Sequence, residues 1–198
     1  LLENRQVGSR RAMDYFVEDK KIVDPMVLAD MKLAAETPTD VILFNIDSKS
    51  ETNGKQNKDA IVNVFLKVFN QMQGFCGSIP HVADLERRLS EEGRYDEFKA
   101  AFEEEYGEPW EDSRQDFDFI QDSVVDALVS MDFMSEAAAR NWCEKAVEPY
   151  TISIEDFAKR VKAYIDRKGN NHHVVFLVDE IGQYIGDDSK LMLNLQTV

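Results

Sequence analysis

Two adjacent carboxylates, Asp179 and Glu180, end an apolar run in the stretch VVFLVDEIGQYIGD, residues 174–187. In many enzymes that hydrolyse nucleoside triphosphates, an aspartate at the end of a buried strand holds Mg²⁺ and a nearby group positions the attacking water. Successive side chains of a strand point to opposite faces, so one carboxylate could reach a metal ion and the next a water molecule. A buried strand that ends in acids for solubility gives the same pattern, so the pair alone leaves both interpretations open.

A second apolar run, VILFNI at residues 41–46, also ends in polar side chains. Its continuous β-branched and apolar character is typical of a strand that is covered on both faces in a parallel sheet. Ligands of open α/β sheets bind beyond the carboxyl ends of the strands. Asn45 and Asp47 are therefore candidates for the same site, although polar residues at strand ends also serve as caps and turn formers.

Other site chemistries find little support in the residues. A phosphate-binding P-loop requires G-x-x-x-x-G-K-[ST], and the Gly54-Lys55 pair is followed by Gln56, so it does not fit. His172 and His173 are adjacent on a predicted strand and cannot chelate one ion together. The two cysteines lack metal-ligand spacing and are predicted to be buried thiols.

Helical patterns fill most of the chain between the two runs. Candidate helix starts are Ser9, Asp24, Ser135 and Ser153, each a residue type that caps helices well, and Asp187 or Asp188 could begin a last helix. A crossover between parallel strands needs only a dozen or more residues, so the much longer middle predicts an insertion. We therefore expect a helix-rich α/β protein, with a partial core from residues 1–56 and 168–198 and a helical, acidic insertion at 57–167.

The net charge of the chain limits the classes of partner that it can bind. The chain has 23 basic and 38 acidic residues, a net charge of −15, which argues against direct DNA binding. Residues 84–118 hold 14 of the acids and 5 of the bases. This segment is predicted to be a solvated helical face, with a docking surface for a basic partner as the alternative. No apolar run reaches the ~20 residues of a membrane span and no signal peptide is visible, so a cytoplasmic location is expected.

Two stretches carry a resemblance to a known family: IVDPMVLADMKLAAETPTDVILFNID, which continues as SKS, and VFLVDEIGQYIGDDSKLMLNLQTV. They resemble the large P-loop ATPase of the BREX bacteriophage-exclusion systems, the BrxC/PglY family. The resemblance implies that Asp179 and Glu180 form the Walker B pair, with Asp179 holding Mg²⁺ of bound ATP and Glu180 acting on the water. It also implies that VILFNI and VVFLVDE are neighbouring parallel strands joined by a right-handed crossover.

The same resemblance, together with a start at Leu1 and an end inside LMLNLQTV, predicts that the chain is an internal fragment of the ATPase. It then lacks Walker A, and we expect it alone to bind no nucleotide and to be inactive. Other subunits of the defence system are the implied partners, and exposed sheet edges predict self-association. Two alternatives remain: an acidic helical protein-interaction or DNA-mimic module without nucleotide chemistry, and a small α/β enzyme of another class.

Overall fold

The computed structural model describes residues 2–46, 59–169 and 171–182. These residues form two compact units, and each is described by itself. The strand unit comes from residues 1–60 and 153–198, and the helical unit comes from residues 61–152.

The strand unit contains a short hairpin, three longer elements from the first part of the chain and the last helix–strand pair. Its elements are β1 (Gln6–Val7), β2 (Arg10–Arg11), α1 (Ala12–Lys20), α2 (Pro25–Glu36), β3 (Thr39–Asn45), α9 (Ile154–Lys168) and β4 (His173–Asp179).

Two of the helix starts in this unit were predicted correctly and one was not. The carboxylate of Asp24 accepts the backbone N–H groups of Met26, at 2.8 Å, and Val27, so it caps α2 as expected. Ser153 caps α9 in the same way. Ser9 does not cap α1, because it lies in the turn of the β1–β2 hairpin and α1 begins after Arg11.

The two predicted strands pair in parallel, as expected. Their register places Thr39 opposite His173 and runs to Asn45 opposite Asp179. The first strand begins at Thr39, two residues before its predicted start, and the second spans the predicted residues.

Within the described residues, only one face of this sheet is well covered, so the expectation of burial on both faces was wrong. Ile42 and Phe44 are 6% and 5% exposed, while Leu43 and Leu177, paired on the opposite face, are 74% and 43% exposed. Period-2 alternation therefore decides burial here, although residues 41–44 are apolar at every position.

Helix α9 belongs with the strands, whereas its sequence was predicted to end the helical insertion. The ring of Phe157 lies 6.4 Å from that of Phe176 on β4, and the hydroxyl of Tyr164 donates a hydrogen bond to Asp40 on β3. The compact helical unit ends at Ile152, and α9 is part of the strand unit.

The helical unit is built around one apolar core. Large buried side chains from four helices meet in it, among them Phe98, Phe102, Trp110 and Leu128, all 0% exposed. Within the described ranges, no helix has both the length and the apolar composition that a membrane span requires. The elements are α3 (Asp59–Met72, entering the unit at Ile61), α4 (Pro80–Glu91), α5 (Tyr95–Tyr106), α6 (Trp110–Ser113), a 3₁₀ turn (Arg114–Asp116), α7 (Phe117–Ser130) and α8 (Glu136–Ala146).

One acid of segment 84–118 is not on the solvated face predicted for that segment. Glu86 is 0% exposed and accepts hydrogen bonds from the Cys76 backbone N–H at 2.5 Å, Tyr95 at 2.9 Å, Trp110 at 2.8 Å and Arg114 at 2.7 Å. A buried carboxylate is tolerated only when it is paired and hydrogen-bonded in this way. Burial and the Glu86 carboxylate also raise the pKa of Tyr95 well above its ordinary value.

Candidate functional site

The carboxyl ends of β3 and β4 bring together three of the predicted site residues. Asn45 lies opposite Asp179 in the strand register, and Glu180 follows directly. The side-chain amide of Asn45 donates a hydrogen bond to the Glu180 carboxylate. The amide on one strand therefore orients the second carboxylate of the other strand, across 135 residues of sequence. Asp47, the fourth predicted residue, lies outside the described residues.

The backbone turns sharply at Glu180. Its φ is +60°, in the left-handed region that few non-glycine residues adopt, and its N–H donates to Asp179 Oδ1 at 2.9 Å. Extended geometry ends at Asp179 for this reason, and the chain is helical at Ile181 and Gly182. Residues held in sparsely populated backbone regions concentrate at functional sites. Both carboxylates are exposed, so both are open to a ligand.

The residues at this edge fit Mg²⁺ of a bound nucleotide. Magnesium keeps several waters and is usually held by one or two carboxylates together with phosphate oxygens. Asp179 supplies one such carboxylate, with Oδ1 fixed by the Glu180 N–H and Oδ2 remaining for a metal. An all-protein cage is a different arrangement, and the described part of the chain contains no group of three or more histidine, cysteine, aspartate or glutamate residues that could form one.

The amino ends of the two strands are fixed by a second polar cluster, which sequence reasoning did not single out. One oxygen of Asp40 accepts the Tyr164 hydroxyl at 2.6 Å and meets His172 Nε2 at 2.8 Å. Burial by itself raises the pKa of Asp40, but the bonds from Tyr164 and His172 outweigh it and hold that pKa below its ordinary value. The cluster connects α9 to the amino ends of β3 and β4. It therefore holds together the two strands whose carboxyl ends carry the candidate site.

No local pattern could have shown this cluster. Asp40 is 124 residues from Tyr164 and 132 from His172, and each residue type is ordinary in its own segment. His172 was considered only as a metal ligand, together with His173. Its contact with Asp40 depends on the parallel pairing, which brings the two strand starts together.

The described residues therefore define a helix-rich α/β chain with a parallel pair of strands and an acidic pair at their carboxyl edge. No family model matches the chain, and no solved structure matches it.

Proposed function

We propose that this chain is a segment of a P-loop ATPase of a bacterial BREX bacteriophage-exclusion system, to which it supplies the Walker B strand, β4. The observation that supports the proposal most is the parallel register that sets Asn45 opposite Asp179, with Glu180 hydrogen-bonded to the same amide. Parallel strands with acids at the carboxyl edge place their side chains where α/β proteins bind ligands.

Each residue has a distinct role in this proposal. Asp179 would hold Mg²⁺ of the nucleotide through its free oxygen. Glu180 would accept a hydrogen bond from the attacking water and orient it, while Asn45 keeps that carboxylate in place. Bound ATP–Mg²⁺ supplies the phosphoryl group and the cation that neutralises the developing charge.

The phosphate-binding residues would come from another part of the ATPase. The sequence contains no G-x-x-x-x-G-K-[ST] segment, and Asp179 and Glu180 offer no positive charge or N–H cradle for phosphates. The sheet leaves room for additional elements, since Leu43 and Leu177 are exposed on one face. In parallel sheets both faces are ordinarily covered, so further helices of the ATPase core would bury these leucines.

A Glu180→Gln change in the full-length ATPase tests the proposal. We expect ATP hydrolysis to fall at least about a hundredfold, because the neutral amide cannot orient the water as the carboxylate does. Nucleotide binding, measured with a fluorescent ATP analogue, should change little. Glu155→Gln is the matched control, since Glu155 is an exposed glutamate on α9 of the same unit. Equal activity of the Glu180→Gln and Glu155→Gln enzymes would refute the Walker B assignment.

The 198-residue chain by itself provides a second test. Without phosphate-binding residues it should show no ATP turnover. Turnover that is lost on Glu180→Gln would mean that this chain carries a complete site, and the assignment of phosphate binding to other residues would be wrong.

A further inference from the structure

The helical unit contains an open pocket of about 270 Å³, which is separate from the site at the strand ends. The pocket lies between the start of α4, the start of α7 and the segment that follows α8. The apolar half of its wall is formed by Ile79, Pro80, Phe117, Ala146 and Val147, and the other half is polar or charged. A volume of this size holds one long side chain and is small for a whole cofactor.

The polar groups of the pocket favour a cation. Asp118 and Glu148 both line it, both are exposed, and neither has an ion-pair partner within the described ranges. Two carboxylates disfavour an anion at close range and favour an ammonium or guanidinium group.

A buried nitrogen of the same pocket lacks a hydrogen-bond partner. His81 Nε2 is inaccessible to solvent and bonds to no group in the part of the chain that the structure describes. The His81 ring packs edge-on against Tyr150 with the ring centroids 4.9 Å apart, which fixes its orientation. Tyr150 therefore holds the ring at the pocket wall, while the Nε2 atom itself is closed off from solvent.

An exposed aromatic side chain and further acids follow the pocket residue Asp118 along α7, and a single small amine in the pocket would not cover them. Phe119 follows Asp118 on α7 and is 89% exposed, an unusual position for a phenylalanine. Asp126 is also exposed and lies on the same face of α7, seven residues after Phe119, whereas the exposed Asp122 on that face is already paired with Arg140 at 3.1 Å. The helical unit as a whole has 20 acidic and 8 basic residues. An exposed aromatic among acids is suited to a polypeptide that carries both apolar and basic side chains.

We propose that this pocket binds an arginine or lysine side chain of a basic partner protein, with Phe119 and the acids of α7 contacting the neighbouring residues of that partner. The methylene stem would pack on Phe117 and Val147, and the charged head would lie between Asp118 and Glu148. Arginine suits the site best, because its planar group carries five N–H donors and can serve both carboxylates at once. The proposal does not depend on the ATPase assignment, since all of these residues belong to the helical unit.

NMR titration of the full chain with defined peptides tests this proposal. The probe is acetyl-LRLRL-amide, and its matched control replaces both arginines by citrulline, the neutral isostere. We expect the arginine peptide to shift the signals of His81, Asp118, Phe119 and Glu148, and to bind at least about tenfold more tightly than the citrulline peptide. Equal binding of the two peptides would overturn the proposal.

Two variants separate the pocket from general acidity. Asp118→Asn with Glu148→Gln should weaken binding of the arginine peptide about tenfold. Glu103→Gln with Glu104→Gln removes the same charge from exposed positions of α5 outside the pocket lining, and should weaken it less than about twofold. Equal losses in the two variants would overturn the proposal in favour of non-specific attraction.

Spermidine distinguishes a free polyamine from a side chain of a protein. It should bind more weakly than the arginine peptide and leave the Phe119 signal unshifted, because it makes no apolar contact there. Tighter binding of spermidine, with the same pocket signals shifted, would overturn the assignment to a protein partner.

Discussion

The helical unit buries its largest apolar side chains, whereas the strand unit leaves many of its own at the surface. Phe98, Phe102 and Trp110 are 0% exposed in the helical unit. In the strand unit, α1 and α2 contain no buried residue, and Met26 and Leu43 are 78% and 74% exposed. The helical unit thus has its own buried apolar core, which is the main requirement for independent folding. The strand unit has exposed apolar surface, and burying that surface in further contacts would be favourable.

The two units also differ in charge. The helical unit has a net charge of −12, and residues 1–60 and 153–198 together have 18 acids and 15 bases, a net charge of −3. A strong like charge keeps a folded unit apart from its copies, whereas a nearly neutral surface with exposed leucines favours association. We therefore expect like charge to keep the helical unit apart from its copies, and any self-association to involve the sheet.

Removing the buried carboxylate of the helical unit should have the largest effect. Glu86→Ala leaves Arg114, whose side chain is 14% exposed, with a buried charge and leaves three further donors without their acceptor. We expect the free energy of unfolding to fall by about 3–5 kcal/mol. Both tryptophans of the chain, Trp110 and Trp142, lie in this unit, so urea unfolding followed by tryptophan fluorescence reports on it selectively.

The control for this change is Glu103→Gln, which alters an exposed glutamate of the same unit. It should change the free energy of unfolding by less than about 0.5 kcal/mol. If Glu86→Ala costs no more than this control, the Glu86 cluster is not a stabilising element of the helical unit.

A cavity in the helical core should have the next largest effect. Leu128 is 0% exposed, and Leu128→Ala should lower the free energy of unfolding by about 2–5 kcal/mol through lost burial and an unfilled cavity. The same fluorescence measurement applies. A loss below about 1 kcal/mol would show that the core is looser than its burial indicates and would weaken the contrast between the units.

Loosening the Asp40 cluster should have a smaller effect, confined to the strand unit. Tyr164→Phe removes the hydroxyl that bonds to Asp40 at 2.6 Å, and should cost about 1 kcal/mol. Hydrogen exchange of the β3 and β4 amides, followed by NMR, should accelerate while the amides of α7 remain unchanged. Tyr106→Phe, at a 41% exposed tyrosine of α5, is the control. Equal acceleration in both variants would contradict a role for the cluster.

Lowering the pH should weaken the same Asp40 cluster. Folding lowers the pKa of Asp40, so the ionised carboxylate contributes stability above its unfolded pKa of about 4, and that contribution is lost as the pH falls through the folded value. The protection factors of the β3 and β4 amides, in which the intrinsic dependence of exchange on pH is divided out, should therefore fall below about pH 4 in the natural chain. In Asp40→Asn this pH dependence should be reduced, and an unchanged profile would rule out Asp40 as its source.

The smallest expected change in stability is at the exposed sheet face. Leu43→Ser alters a side chain that is 74% exposed and should change the free energy of unfolding by less than about 0.5 kcal/mol. It should nevertheless reduce self-association in analytical ultracentrifugation, because it breaks the apolar surface that Leu43 forms with Leu177. A natural chain that is monomeric at all concentrations would contradict the predicted association.

Secondary structure was largely predictable because its causes are local. Asp24-Pro25 indicates a helix start, and the chain follows it. VILFNI and VVFLVDE indicate strands, and both form. Ser9 was misjudged because the competing β1–β2 hairpin has no strong apolar alternation, so nothing in the sequence suggested it.

Side-chain environment was much less predictable than backbone structure. Glu86 lies in a run of acids that suggests solvent, and four donors from distant positions make it a core residue. Leu43 lies in a run that suggests burial, and it is exposed. In both cases the exposure of the side chain depends on residues outside its own segment. Glu86 is buried because other segments supply its donors, and Leu43 is exposed because no segment within the described residues covers it.

The sequence by itself determined the helix and strand types, the division into an acidic helical part and a less charged part with strands, and the adjacent carboxylates at the end of β4. Tertiary structure alone decided that Asn45 meets Glu180, that Asp40 joins Tyr164 to His172, and that His81, Asp118 and Glu148 line one pocket. The physical reason is range: propensity and capping act within a few residues, whereas hydrogen bonds and burial act between any segments that the fold brings into contact.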